Sequence, residues 1–156
     1  MSEADGWWFQ RTWNDFRRGT ARARLSWDGG SAGVLLYDEG VPRTAAAVRA
    51  ALPLRTQVVN TAWSGEMLMA TETFGLAAGA AENAVRLVRP GDLTWDGKYG
   101  EICVVYGDAE CRLPSGPNTV TVFGQVTDNL EGLAAFGRRR RFHGAGALRL
   151  AAEEGA

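Results

Sequence analysis

The sequence is short of the residues that most often carry metal binding and polar catalysis. Among its 156 residues there is one histidine, His143, and there are two cysteines, Cys103 and Cys111. A single histidine excludes multi-histidine metal sites, and no ligands stand at zinc-like spacing, so neither metal nor cofactor is expected. A Ser-His-acid triad would have to recruit His143 with Ser64 or Ser115. Neither serine lies in a nucleophile-elbow motif, which sets that chemistry aside and leaves His143 as a structural or rim residue of the last strand. No glycine pair, Gly29-Gly30 included, leads into the Lys and Ser/Thr of a phosphate loop. Lysine is reduced to Lys98, and the formal net charge of -1 argues against a dedicated nucleic-acid binder. No apolar run approaches the roughly 20 residues that span a bilayer, so no membrane partner is expected. The start Met1-Ser2-Glu3-Ala4-Asp5 is acidic where a signal peptide would be basic, pointing to a cytoplasmic protein. Cys103 and Cys111 fall on neighbouring strand segments within conceivable bridging reach; in a reducing compartment they serve as small buried apolar residues.

What is present is enough for one self-sufficient domain. At 46% hydrophobic and 22% charged residues the composition is that of a globular protein, and a chain of this length buries about two-thirds of the surface it exposes when unfolded. Trp7, Trp8, Phe9, Trp13 and Phe16 crowd the N-terminus, with Phe9, Trp13 and Phe16 spaced as one helical stripe. Such a stripe needs cover, from this domain, as a lid over a pocket, or from a second subunit in a homodimer. From Thr20 the period becomes two through Trp27, and Asp28-Gly29-Gly30 turns the chain into Gly33–Tyr37 as a hairpin. Pro42 opens a helix that Pro53 stops, with Ala45, Val48 and Leu52 inward.

The stretch Asn60-Thr61-Ala62-Trp63-Ser64-Gly65-Glu66-Met67-Leu68-Met69 reads as an apolar strand with a Ser-Gly hinge. Residues 72–82 read as a loop, and Pro90-Gly91-Asp92 and Asp96-Gly97 as turns around Leu93-Thr94-Trp95. Glu101–Tyr106 is a continuous apolar strand covered on both sides, and Thr119–Val126 an alternating one. Asp128 with Glu131 has the form of a capping box for a second helix that Gly137 would end, and a last strand would run from Phe142 to Leu150. Arg138–Arg141 then falls in a solvated turn favouring the helix C-terminus, with nucleic-acid contact the alternative. This order predicts a mainly β fold, a small closed barrel with two short helices and an N-terminal aromatic helix. The divisions are 1–19 as the extension, 20–150 as the barrel and 151–156 as a polar tail.

Val41-Pro42-Arg43-Thr44, Ala51-Leu52-Pro53, Asn60 to Glu66, Glu82-Asn83, Pro90-Gly91-Asp92, Glu101-Ile102, Tyr106-Gly107 and Gly124 with Leu130 to Gly137 stand in one order. In this the chain, from about Thr20 to Leu150, resembles a bacterial family of unknown function with a cyclophilin-like fold. Trp-Ser-Gly-Glu and Pro-Gly-Asp are the most specific elements. The resemblance implies an eight-stranded barrel with two helices and a depression bordered by the Trp-Ser-Gly-Glu strand. It does not imply prolyl isomerisation, because the peptide-groove motifs of true cyclophilins are missing. Relatives commonly carry histidine where this chain has Asn60.

Glu66 is the one carboxylate inside the central stretch, either a general acid or base with a desolvated carboxyl or a partner for backbone N–H groups of the turn. Asn60 either orients a ligand carbonyl or is a satisfied core amide. Trp63, Met67, Met69, Phe74, Tyr99, Tyr106 and Phe123 are candidate walls for an apolar small molecule, thioethers supplying adaptable contact and aromatic rings flat contact. Strict alternation would put Trp63, Met67 and Met69 on one side and Glu66 and Leu68 on the other unless Gly65 brings a bulge. The preferred function is a cofactor-independent cyclase of polyketide-type secondary metabolism, folding a flexible substrate for ring closure, pericyclic reactions included. The alternatives are a non-catalytic small-molecule binding module, an isomerase or amidohydrolase using Glu66 and Asn60, and an interaction protein using its aromatic N-terminus.

Overall fold

The computed structural model describes residues 15–153. Among the described residues ten strands and two helices follow in the order β1 (Ala21–Trp27), β2 (Gly30–Leu36), α1 (Pro42–Ala51), β3 (Leu54–Asn60), β4 (Gly65–Ala70), β5 (Asp92–Asp96), β6 (Glu101–Ala109), β7 (Arg112–Leu113), β8 (Gly116–Pro117), β9 (Thr121–Val126), α2 (Leu130–His143) and β10 (Gly146–Ala152). Eight strands close an antiparallel barrel in the order β1-β10-β3-β4-β6-β5-β9-β2, with β7 and β8 as a separate two-stranded ribbon. The mainly β fold with two helices is therefore as the sequence predicts.

Alternation positions the core. Ala23, Leu25 and Trp27 of β1, Leu68 of β4 and Val104 and Tyr106 of β6 all turn inward to one continuous cluster. On β6 the intervening Cys103 and Val105 are buried as well, in a second cluster with Met67, Cys111 and Val120. That outer cluster exists because the segments 85–88 and 110–120, on either side of β5 and β6, fold over the barrel wall. The bridges Val85 to Val120 and Leu87 to Glu110 tie that layer down, as does the bond from Cys111 N–H to the Arg86 carbonyl.

α1 begins at Pro42 as expected, buries Thr44, Ala45 and Val48, and lies against β9. α2 differs from the reading of its sequence. Its N-cap is Asn129, whose side chain accepts from Gly132 N–H, while Asp128 instead accepts from Gly33 N–H of β2 at 2.7 Å. The helix does not stop at Gly137 but runs through His143, so the four arginines occupy its last turns, and β10 starts at Gly146. The physical reason is packing. A Cβ on Gly137 would lie 2.4 Å from the Tyr106 ring, so the glycine is there for close approach and not to end the helix. The stop is Gly144, which caps the helix with φ +81°, and Arg140 lies over the Phe136 ring at 4.8 Å and donates to the Ala145 carbonyl. α2 touches β2, β3, β4 and β6, strands from different sides of the barrel, and so covers one of its ends.

Trp7, Trp8, Phe9 and Trp13, and with them the helical stripe, lie outside the described residues. Phe16 is inside: fully buried, it meets Tyr37 edge-on with ring centroids 6.1 Å apart. Arg17 follows it into a buried ion pair with Asp92, and Gly19 and Gly40 allow backbone contact between this segment and the β2–α1 connection.

Candidate functional site

Trp63 sits in a turn and not on a strand, because β3 ends at Asn60. Thr61 accepts at its carbonyl from the N–H groups of Ser64 and Gly65, and both the N–H and the hydroxyl of Thr61 donate to the Met67 carbonyl. Gly65 has φ +104°, and a Cβ there would come within 2.7 Å of the Asp108 carbonyl oxygen, so glycine is required at the point where the turn enters β4. Beyond it the strand alternates. Met67 pairs with Val105 and Met69 with Cys103 on the outer face, while Leu68 pairs with Val104 facing the interior.

The register of the β5–β6 hairpin extends this outer face. Met69, Cys103 and Thr94 form one row across β4, β6 and β5, and the next row is Glu101 opposite Asp96. Trp63, Met67, Met69 and Cys103 enclose, with this acidic pair, a hollow of about 20 Å³, room for about one water. Asp96 and Val120 also border a recess of about 220 Å³ on the far side, completed by Trp95, Lys98 and residues 79–81. Trp63 is 44% exposed and forms the outer lip.

The two carboxylates differ in their partners. Asp96 is buried and saturated: it accepts from Lys98 N–H at 2.9 Å and from the Asn118 amide at 2.8 Å, and Lys98 Nζ stands 3.1 Å away. Glu101 has no hydrogen-bond or ion-pair partner among the described residues. Partial burial raises its pKa above the ordinary carboxylate value, the Asp96 charge adds to the rise, and Lys98 opposes it. Glu101 was not among the site residues read from the sequence. The signal was there: two strands joined by residues 97–100 necessarily set Asp96 against Glu101.

Glu66 and Asn60 belong elsewhere. Between the Gly65–Ala109 and Met67–Val105 pairs the register shifts, and Glu66 fills the resulting bulge. Its carboxylate accepts from Asp108 N–H at 3.1 Å and lies 3.6 Å from Arg138 of α2. Asn60 accepts from the Tyr106 hydroxyl. The three therefore gather under α2 at one end of the barrel, and Glu66 does not share the hollow of Trp63, Met67 and Met69. Tyr106 has its pKa raised, chiefly by burial, with Arg141 opposing. Phe123 is fully buried in the main core, Phe74 packs against that core beside Gly100, and Tyr99 is exposed on the β5–β6 turn.

Cys103 and Cys111 are free and buried. Burial pushes both thiols up, Cys111 to about 12, which leaves no thiolate nucleophile near neutral pH. Among the described residues no three His, Cys, Asp or Glu side chains gather as a metal site, and no helix is long and apolar enough to cross a membrane.

Fold and site together define a small closed antiparallel barrel whose interior is filled by side chains and whose polar groups lie on its outer face and under α2. Residues 24–152 match the model of a family described as protein of unknown function (DUF3830), and the chain belongs to that family. Comparison with curated proteins gives no match. Among solved structures the chain is similar to McbB in complex with tryptophan, at 15% identity and a TM-score of 0.66 over 86% of this chain and 45% of McbB. It is also similar to the hypothetical protein AF2241 from Archaeoglobus fulgidus, at 21% identity and a TM-score of 0.58 over 88% of this chain and 98% of that one. The chain thus spans less than half the length of McbB, and at these identities the likeness is one of fold.

Proposed function

We propose that the protein is a small-molecule enzyme whose site is the outer face of β4, β6 and β5, with Glu101 as the group that moves a proton. One observation carries this reading: Glu101 is an unpartnered carboxyl with a raised pKa at the lip of an apolar wall. A carboxyl shifted toward neutrality works better in either direction of proton transfer than an ordinary one. The saturated Asp96 beside it keeps the pair from being interchangeable, holding one carboxylate in place while the other meets the ligand.

The ligand is largely apolar and presents a flat face when folded, with an amine or other donor to face the acidic pair. Its body lies on Met67, Met69 and Trp63, and the recess of about 220 Å³ beyond Asp96 takes the remainder. Pockets for drug-sized ligands run from about 300 Å³ upward, so Trp63 swings out of the lip when one enters. Ring closure of a flexible polyketide-like chain is the reaction this wall suits, with the thioethers and the indole selecting a folded conformer. A Glu66 and Asn60 mechanism has less support, since Asp108 N–H, Arg138 and the Tyr106 hydroxyl already engage those side chains. A homodimer through the aromatic N-terminus is tested by sedimentation of the chain with and without residues 1–14.

Tryptamine and L-tryptophan are the first probes, because the McbB structure holds tryptophan and both offer a flat ring with an ammonium group. The methyl signals of Met67 and Met69 in methyl-labelled protein should shift on titration, and Glu101→Gln should weaken tryptamine binding at least tenfold. For any substrate that turns over, Glu101→Gln should lower kcat by roughly a hundredfold or more. Unmoved methionine signals with both probes would remove the site, and binding without turnover across amine-bearing candidates would leave a binding module.

A further inference from the structure

A second outer face carries a feature that the proposed reaction does not use. Arg149 of β10 pairs directly with Arg55 of β3 on one side and with Ser26 of β1 on the other, so one row across three strands reads Ser26, Arg149, Arg55. Two like charges opposed across a strand pair repel. Arg24, on the neighbouring row, has partners: it reaches Glu153 at 3.1 Å and the Ser31 hydroxyl at 3.2 Å. Neither Arg55 nor Arg149 has a side-chain hydrogen-bond or ion-pair partner among the described residues, and Arg149 Nε is buried without an acceptor. Around them lies a groove of about 530 Å³ bordered also by Trp27, Gln57, Asp28 and Glu72.

We propose that this groove on the β1, β10 and β3 face is a binding site for the carboxylate of a small molecule, held between the opposed guanidinium groups of Arg55 and Arg149. A buried N–H donor without an acceptor and two facing cations are both satisfied by one planar anion, and guanidinium forks match carboxylate oxygens in pairs. Ser26 adds a hydroxyl and Gln57 an amide within the same row and the next. Asp28 and Glu72 border the same groove and make it nearly neutral as a whole. That balance selects a singly charged carboxylate, or one with a compensating ammonium group, over a polyphosphate. The groove leaves room for a ring or short chain behind the carboxylate.

The test is a titration of the full chain with sodium benzoate, followed by the backbone amide signals. Benzyl alcohol serves as the uncharged control and sodium chloride as the ionic-strength control. Benzoate should shift the amides of Ser26, Arg55, Gln57 and Arg149, and both controls should leave them in place. Arg149→Gln and Arg55→Gln should each weaken benzoate binding at least fivefold; Arg55 is exposed, so its replacement leaves the fold intact should the partly buried Arg149 prove intolerant. Equal shifts with benzyl alcohol or chloride, or undiminished benzoate binding in Arg55→Gln, would overturn the proposal. None of these outcomes involves Glu101, so the two sites stand or fall separately.

Discussion

Replacing Arg17 with methionine should destabilise the whole domain, although Arg17 precedes the residues that match the family. Its guanidinium makes a two-pronged contact with Asp92, Nη1 to Oδ1 at 2.6 Å and Nη2 to Oδ2 at 2.8 Å. The two side chains are 7% and 1% exposed. Nη1 also reaches the Tyr37 hydroxyl at 3.4 Å, and that hydroxyl donates to Gln125 of β9. Without Arg17, Asp92 keeps the Arg89 N–H at 2.8 Å but loses the opposite charge. Stranding one member of a buried pair costs about 3–5 kcal/mol. At roughly 2–4 °C per kcal/mol for a chain of this size, Tm should fall by about 6–20 °C.

Urea unfolding at neutral pH measures the loss directly, and an unchanged m-value would show that the surface exposed on unfolding is the same. The double change Arg17→Met with Asp92→Asn should recover a good part of it, because no charge is then buried alone. The effect should persist in high salt, unlike that of an exposed pair such as Arg112 with Glu110. A loss under about 1 kcal/mol for Arg17→Met would be the behaviour of a surface pair and would refute the docking of residues 15–19 onto the barrel.

Three further outcomes follow from the same geometry. Glu101→Gln should raise stability at neutral pH: the folded protein binds the Glu101 proton more tightly than the unfolded chain, so this contribution is present below the ordinary carboxylate pKa and is lost as pH rises through the folded value. The gain, read as Tm against pH, should vanish near pH 4 and below. Gly137→Ala places a methyl against the Tyr106 ring, so it should cost roughly 1–3 kcal/mol by chemical denaturation despite the better helix propensity of alanine. Cys103 and Cys111 should resist a thiol reagent at pH 8 in the native protein and react together in denaturant.

The strands were legible because their signal is local. Alternation from Thr20 to Trp27 and the unbroken apolar run after Glu101 specify one-sided and two-sided burial, and the structure has both. The end of α2 was not legible, since Gly137 carries the same letter whether it terminates a helix or admits the Tyr106 ring, and Tyr106 is thirty-one positions away. The candidate site divided for a related reason. Pattern could gather Trp63, Met67 and Met69, but the β6 bulge that turns Glu66 onto Asp108 N–H depends on strand pairing, and so does the lack of a hydrogen-bond partner for Glu101 among the described residues. A residue without a hydrogen bond leaves no mark on its own sequence.

Strand number explains why both proposed sites lie outside the barrel. Eight strands enclose a space occupied by side chains such as Leu25, Leu68, Phe123 and Leu133, and α2 covers one end. A molecule is then met on an outer face, and several of those are taken: β9 by α1, β6 by residues 85–88 and 110–120, and the Tyr37 and Asp92 region by Phe16 and Arg17. Two of the faces left open are the margin where Trp63, Met69 and Glu101 emerge beside the covering layer, and the sheet where Arg55 and Arg149 face each other. Each margin holds polar groups that the fold itself leaves unused, a carboxyl on one and two guanidinium groups on the other. Glu66, in contrast, is engaged by the bulge: a Cβ on Gly107 would sit 2.4 Å from its Oε1, so the backbone of β6 is shaped around that side chain.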